Sequence, residues 1–318
     1  MNSATSPVLA ALDLGTNNCR LLLARGKDRS GFRIVDSFSR ITRLGEGLAE
    51  SGRLSDAAMG RTLEALKVCG ATLARWHVSR QRFVATAACR QAANGQDFIR
   101  RAREETGLEI EIIAADEEAR LAAEGCRTLI DKNARFALIF DIGGGSTEIT
   151  WLEIAKSGKT KESYVSLPVG VVTLAERSQE ERAGALAKAR DMIEDFERRH
   201  GIRRHVETGE AQMLGTSGTV TTLGAVHLGL DRYERRAVDG LVMTKEEIEA
   251  VSASLVAMSH EERARHPCIG HQRADLVAMG CNLLEMLREA WPASKLRIAD
   301  RGLREGLLLG LSSRKAKS

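Results

Sequence analysis

The sequence predicts an α/β protein made of two similar halves, and three observations carry that expectation. The chain has 318 residues, enough for two domains with sizeable cores. Apolar runs of strand length alternate with helical patterns along it, the β, α, β, α, β grammar of an α/β domain. One unusual local plan also occurs twice. Residues 10–23 read as an apolar strand, Asp13, Leu14, Gly15, a polar Thr16-Asn17-Asn18 turn and a second apolar strand. Residues 136–149 repeat it with Asp141, Ile142, Gly143-Gly144-Gly145 and Ser146-Thr147-Glu148. A plan used twice suggests a duplicated domain, with one loop from each half.

The elements follow in order. After the first hairpin, 32–38 reads as a strand and 42–48 as a polar loop punctuated by Gly45 and Gly47. Ser55 caps a helix to about Trp76, with Met59, Leu63, Leu66, Gly70 and Leu73 on one face. A strand over 82–87 ends in Ala88-Cys89-Arg90, then a helix over 95–106 and a strand over 108–113 follow. Asp116-Glu117-Glu118-Ala119-Arg120 opens a helix to about Ile130, which leads into the central hairpin. Residues 159–174 give a strand and the turn Leu167-Pro168-Val169-Gly170, and 179–200 a long amphipathic helix. A strand then runs into Gly215-Thr216-Ser217-Gly218-Thr219 and a further helix. Helices over 245–258 and 274–291, residues 296–306 and an apolar final helix complete the chain. No low-complexity linker intervenes, so the halves are expected to pack directly.

Composition narrows the function classes. Apolar content is 43% and no apolar run approaches a transmembrane span, so no membrane partner is expected. Residues 1–7 lack a basic n-region, and no signal peptide is expected. Six cysteines form no CxxC pair and read as reduced thiols, which points to the cytoplasm. The net charge of +4 fits an anionic partner. Basic residues cluster at 198–200, 203–205, 232–236 and in the 312–318 tail, where solvated helix ends and a frayed terminus are the expected explanation. Aromatics make up 4% and do not interleave with them, so nucleic-acid binding is not expected. Seven histidines show no zinc spacing, and no GxxxxGK[ST] occurs.

The chemistry gathers at the loops. Glycines let the backbone approach a ligand closely, and consecutive exposed amides form an anion nest. Asp141 and Glu148 would repel a phosphate unless a cation or a water lay between, so the loop reads as a metal-assisted phosphate site. Gly-Thr-Ser-Gly-Thr at 215–219 is a third loop of this kind if a helix starts near Thr219. Glu118 is a candidate base for water attack, although acidic residues also favour helix N-termini on electrostatic grounds. Arg90 follows a strand end, where it would clamp phosphate or serve a salt bridge.

With these residues assembled, the chain resembles the exopolyphosphatase / guanosine pentaphosphate phosphohydrolase family, within the acetate and sugar kinase, Hsp70 and actin superfamily. The resemblance spans nearly the whole chain. Leu12-Asp13-Leu14-Gly15-Thr16-Asn17-Asn18 looks like the first phosphate loop, where Asp-x-Gly-Ser-Asn-Ser is commoner, and Asp141 through Glu148 matches the second in full. Segments 43–48, 85–90, 117–120, 215–219, 273–275 and 300–306 fall in family order.

The resemblance implies two ribonuclease-H-like (actin-like ATPase) domains facing across a cleft. They would cover 1–130, with the final helix at about 303–318 returning to this domain, and 131–302. The extra C-terminal helical domain of longer members is expected to be absent, which bears on processivity. Glu118 would activate water, Glu148 would help hold the water or the metal, and Arg90 would contact the terminal phosphates. Asp141, with Asp13 opposite, would bind Mg²⁺ directly or through water. Gly15, Thr16, Asn17, Asn18, Gly143, Gly144, Gly145, Ser146, Thr147, Ser217, Gly218 and Thr219 would cradle the phosphates. The expected activity is Mg²⁺-dependent release of terminal orthophosphate from inorganic polyphosphate, guanosine pentaphosphate or both, by a homodimer if the family is a guide. Rival readings are a phosphotransferase of the superfamily and a non-catalytic sensor of guanosine tetra- or pentaphosphate.

Overall fold

The computed structural model describes residues 7–27 and 31–313. The first six residues of the signal-peptide reading, and the basic tail past residue 313, lie outside them. The chain divides into two compact units: unit 1 is built from the described residues of Met1–Gly125 and Leu303–Ser318, and unit 2 is Cys126–Gly302.

Unit 1 contains β1 (Val8–Leu14), β2 (Asn18–Lys27), β3 (Gly31–Ile41), β4 (Arg80–Ala85) and β5 (Ile110–Ile112), in the sheet order β3-β2-β1-β4-β5. The β1–β2 and β2–β3 pairs are antiparallel, whereas β1–β4 and β4–β5 are parallel. Unit 2 contains β6 (Phe136–Ile142), β7 (Thr147–Ile154), β8 (Thr160–Leu167), β9 (Ala211–Thr216), β10 (Val242–Thr244) and β11 (Lys295–Ala299), in the order β10-β11-β9-β6-β7-β8. Its β6–β7 and β7–β8 pairs are antiparallel, and β6–β9 and β9–β11 are parallel. One ribonuclease-H-like topology is therefore used twice, with β10 added at one edge. This is the α/β class the sequence predicts.

Burial explains why β1 reads as a continuous apolar run. Val8, Ala10, Leu12 and Leu14 pack with the helices Asp56–Trp76 and Gly95–Thr106. Leu9 and Ala11 pack on the other face, with Leu121 and the helix Leu303–Ser313. A central strand covered on both faces needs no polar alternation. Asp13 continues the Leu9–Ala11 face, so its carboxylate lies on the side covered by the helix that carries Glu118.

Local signals set the helix ends. Ser55 Oγ accepts from Ala58 N at 3.2 Å, and Ser178 and Glu181 form a reciprocal capping box at the start of Gln179–His200. The helix expected to reach Ile130 stops earlier, at Cys126, followed by a 3₁₀ turn over Arg127–Leu129. Tertiary bonds account for the difference. The Leu129 carbonyl accepts from Gln212 Nε2 at 3.1 Å and Arg297 Nη1 at 2.6 Å, and Arg127 Nη2 pairs with Glu162 Oε1 at 2.7 Å. These residues belong to the sheet of unit 2, so the chain leaves the helix to join it. Among the described residues no helix is long and apolar enough to cross a membrane, and all six cysteines are free and buried.

Candidate active site

The two Asp-x-Gly loops are the same four-residue turn. In unit 1, Gly15 N donates to Asn18 O at 2.9 Å; in unit 2, Gly143 N donates to Ser146 O at 2.9 Å. Each turn is held from behind through its carbonyls. Thr16 O accepts from Gly45 N at 2.9 Å, and Asn17 O accepts from Thr42 N at 2.9 Å and Arg43 N at 3.0 Å. Gly143 O accepts from Val171 N at 3.0 Å, and Gly144 O from Val172 N at 2.9 Å and Thr173 N at 3.2 Å. With the carbonyls engaged, the amides of Thr16 and Asn17, and of Gly144, Gly145 and Ser146, find no acceptor among the described residues. Such a run of amides suits an anion.

Two glycines outside the turns make this bracing feasible. A Cβ on Gly170 would lie 2.4 Å from Gly144 C and 2.6 Å from Gly145 N. A Cβ on Gly45 would lie 2.3 Å from the Thr16 methyl. Arg43, between the turn and Gly45, is held at φ 47, a left-handed conformation unusual for a side chain of that size.

Register then places the side chains. Residues opposite one another on neighbouring strands share a face of the sheet. In unit 1 the row is Val84, Asp13, Arg20, Ser39; in unit 2 it is Thr216, Asp141, Glu148, Ser166. Asp13 thus stands beside a cation. Burial pushes its carboxyl above the usual value of 3.8, Arg20 and Arg304 oppose that shift, and Glu305 adds to it. Asp141 stands opposite a second carboxylate. Glu148 is only 3% exposed, and its Oε1 accepts from Ser166 Oγ at 2.9 Å.

Unit 2 also brings the third loop to this row. Thr216, in register with Asp141, donates its hydroxyl to Arg301 O at 2.8 Å. A Cβ on Gly302 would lie 3.4 Å from Thr216 Oγ1 and 4.0 Å from Asp141 Oδ2. Ser217 has φ 110, and its Oγ accepts from Thr219 N at 3.2 Å as the helix Gly218–His227 begins. Not every hydroxyl expected at the phosphates is free to reach one. Thr147 is fully buried and donates to Val169 O at 2.8 Å, and the Thr219 side chain packs against Gly280. The Thr147 hydroxyl braces its loop.

Glu117 and Glu118 separate at the start of the helix Ala115–Cys126. Glu117 Oε1 pairs outward with Arg82 Nη2 at 2.7 Å. The Glu118 side chain is 13% exposed, and its Oε2 meets Arg90 Nη1 at 2.9 Å. The same Arg90 nitrogen donates to Ile113 O at 3.0 Å. The sequence left Arg90 open between a phosphate clamp and a salt bridge, and here its guanidinium holds Glu118.

The chain as a whole has known relatives. The model of the Ppx/GppA phosphatase family matches residues 22–315. The chain belongs to the Ppx/GppA phosphatase family. Among relatives, Exopolyphosphatase 2 of Mycobacterium tuberculosis is 30% identical over 96% of this chain and 98% of that protein. Guanosine-5'-triphosphate,3'-diphosphate pyrophosphatase of Aliivibrio fischeri is 29% identical over 98% of this chain, which spans 60% of that longer protein. The crystal structure of the Aquifex aeolicus Ppx/GppA family member superposes with a TM-score of 0.75 at 28% identity, covering 98% of this chain and 99% of that one. Membership makes this protein a phosphohydrolase, the enzyme class that the resemblance implied.

For this Ppx/GppA member, sequence reasoning missed several partners that register alone supplies. Arg20 beside Asp13 and Ser166 beside Glu148 are cross-strand neighbours, and counting the alternation through each hairpin finds Arg20. Gly170 was read only as part of a turn. Arg301, within the 300–306 segment, is pinned by Asp239, whose Oδ1 accepts from Arg301 Nε at 3.1 Å and from Asp300 N at 3.1 Å.

Proposed function

We propose that this protein is a Mg²⁺-dependent phosphohydrolase that releases terminal orthophosphate from inorganic polyphosphate, guanosine pentaphosphate or both. The observation that carries the reading is the Asp141–Glu148 carboxylate pair, in register beside a turn of open amides. The names of the two curated relatives supply the substrates, which share a terminal phosphoanhydride.

The donor set fits the cation. Among the described residues no group of three or more His, Cys, Asp or Glu side chains could hold a metal ion. Mg²⁺ ordinarily takes only one or two carboxylates, with waters and substrate phosphates completing its octahedron. Asp141 and Glu148 are such a pair. Asp13 carried the same expectation but has Arg20 and Arg304 beside it, so we assign it to orienting those guanidiniums toward phosphate. When bound, Mg²⁺ would offset charge on the transferred phosphoryl group.

The chain's own residues do the rest. Within unit 1 the amides of Thr16 and Asn17, and within unit 2 those of Gly144, Gly145 and Ser146 with the helix start at Gly218, are each suited to bind phosphate oxygens. Glu118 accepts a proton from water as the water oxygen bonds to the terminal phosphorus and the bridging P–O bond breaks. Arg90 holds Glu118 in place for that transfer. We place the protein in the cytoplasm, in keeping with six free cysteines.

The test is orthophosphate release from polyphosphate and from guanosine pentaphosphate, with no acceptor present, with and without Mg²⁺. The wild type releases phosphate, and Glu118→Gln lowers kcat by about 10²–10⁴-fold. Unchanged turnover in that variant removes Glu118 as the base. Nucleotide binding without turnover by the wild type favours a sensor instead.

A further inference from the structure

We infer that Ser166 is the positioning residue that aims Glu148 at the bound cation, through a support that runs from the end of β8 into the helix that follows it. The inference rests on the proposed role of the Asp141–Glu148 pair. A carboxylate has two oxygens and about four lone-pair directions, so its aim depends on which of them the protein occupies. Ser166 Oγ donates to Glu148 Oε1 at 2.9 Å from the directly opposed position on β8. That bond engages one oxygen of the group and restricts its rotation, on the face it shares with Asp141.

The backbone beyond Ser166 holds the same hairpin at successive points. Val169 O accepts the Thr147 hydroxyl at 2.8 Å, next to Glu148 in sequence. Gly170 lies so close to Gly144 and Gly145 that it has no room for a Cβ. Val171 N and Val172 N then occupy the carbonyls of Gly143 and Gly144. Five residues within 166–172 thereby hold both the carboxylate and the amide turn. Had the seryl hydroxyl only to satisfy a buried acceptor, any donor in reach would serve; its place in this continuous support ties it to the aim of Glu148. Groups that orient metal-holding side chains matter nearly as much as the side chains themselves.

The experiment compares the wild type with Ser166→Ala, Ser166→Thr and Glu148→Gln. One readout is the binding of Mn²⁺, a paramagnetic stand-in for Mg²⁺, by spin resonance in the presence of inorganic phosphate; the other is the Mg²⁺ dependence of phosphate release. Ser166→Ala is expected to weaken Mn²⁺ binding by about 10–100-fold and to raise the half-saturating Mg²⁺ in parallel. Ser166→Thr, which keeps a hydroxyl at the same register position, is expected to restore most of both. Wild-type binding in Ser166→Ala, or equal loss in the alanine and threonine variants, overturns the inference. If Glu148→Gln itself binds Mn²⁺ and turns over like the wild type, the reading of the pair fails instead, whatever Ser166 does.

Discussion

The two hairpins share a backbone and differ in the charge that faces the aspartate. Both turns close on the same Gly N to residue i+3 O bond, and both are braced through their carbonyls. In unit 1 the row reads Asp13, Arg20, Ser39; in unit 2 it reads Asp141, Glu148, Ser166. Like charges directly opposed on a sheet destabilise it by roughly 0.2–1 kcal/mol, whereas opposite charges stabilise it by a similar amount. The unit 2 row, with two carboxylates opposed, is therefore poor as architecture and is the one we propose for a cation, while the row in unit 1 sets opposite charges side by side.

Substitutions at the braces test how far the turns are equivalent. Gly170→Ala is expected to have the largest effect, because its Cβ would strike backbone atoms of Gly144 and Gly145 that cannot swing aside. A turn displaced by about 1 Å loses on the order of 10²-fold in kcat, read from initial rates of phosphate release. Gly45→Ala meets only the Thr16 methyl, which can shift, so about a tenfold loss is expected. Equal losses would show that the unit 1 turn is as tightly specified as its counterpart.

The smallest effect concerns stability. Burial raises the Asp13 carboxyl above 3.8, so the folded state holds its proton more tightly than the unfolded chain does. That group's contribution is most favourable below 3.8 and declines as the pH climbs through the raised folded value. Asp13→Asn removes the penalty and should raise the melting temperature at pH 7 by about 2 °C. The gain should vanish below about pH 4, where the unfolded aspartate is protonated too. A lower melting temperature at pH 7 would mean that attraction to Arg20 and Arg304 outweighs burial.

The frame of this site was legible because it is local. Asp-x-Gly turns, the Ser55 cap and the 95–106 and 179–200 helices are written in residues a few positions apart. Glu118 was legible as a candidate, and only packing separates it from Glu117: one side chain turns in to Arg90, the other out to Arg82. The braces were not legible. Gly45 and Gly170 act on turns more than twenty residues upstream, and their need to be glycine appears only when the segments meet. Thr147 looks like a phosphate donor in sequence, and its buried hydroxyl is committed to Val169 O instead.

The contrast between the two rows can be tested most directly by measuring the Mg²⁺ concentration that gives half-maximal phosphate release in Glu148→Gln and Arg20→Ala, beside the wild type. Glu148→Gln is expected to raise that concentration by about tenfold or more. Arg20→Ala should leave it unchanged and raise KM for the phosphate substrate instead. An equal shift in both variants, or a shift in Arg20→Ala alone, would contradict the assignment of the cation to the Asp141–Glu148 row.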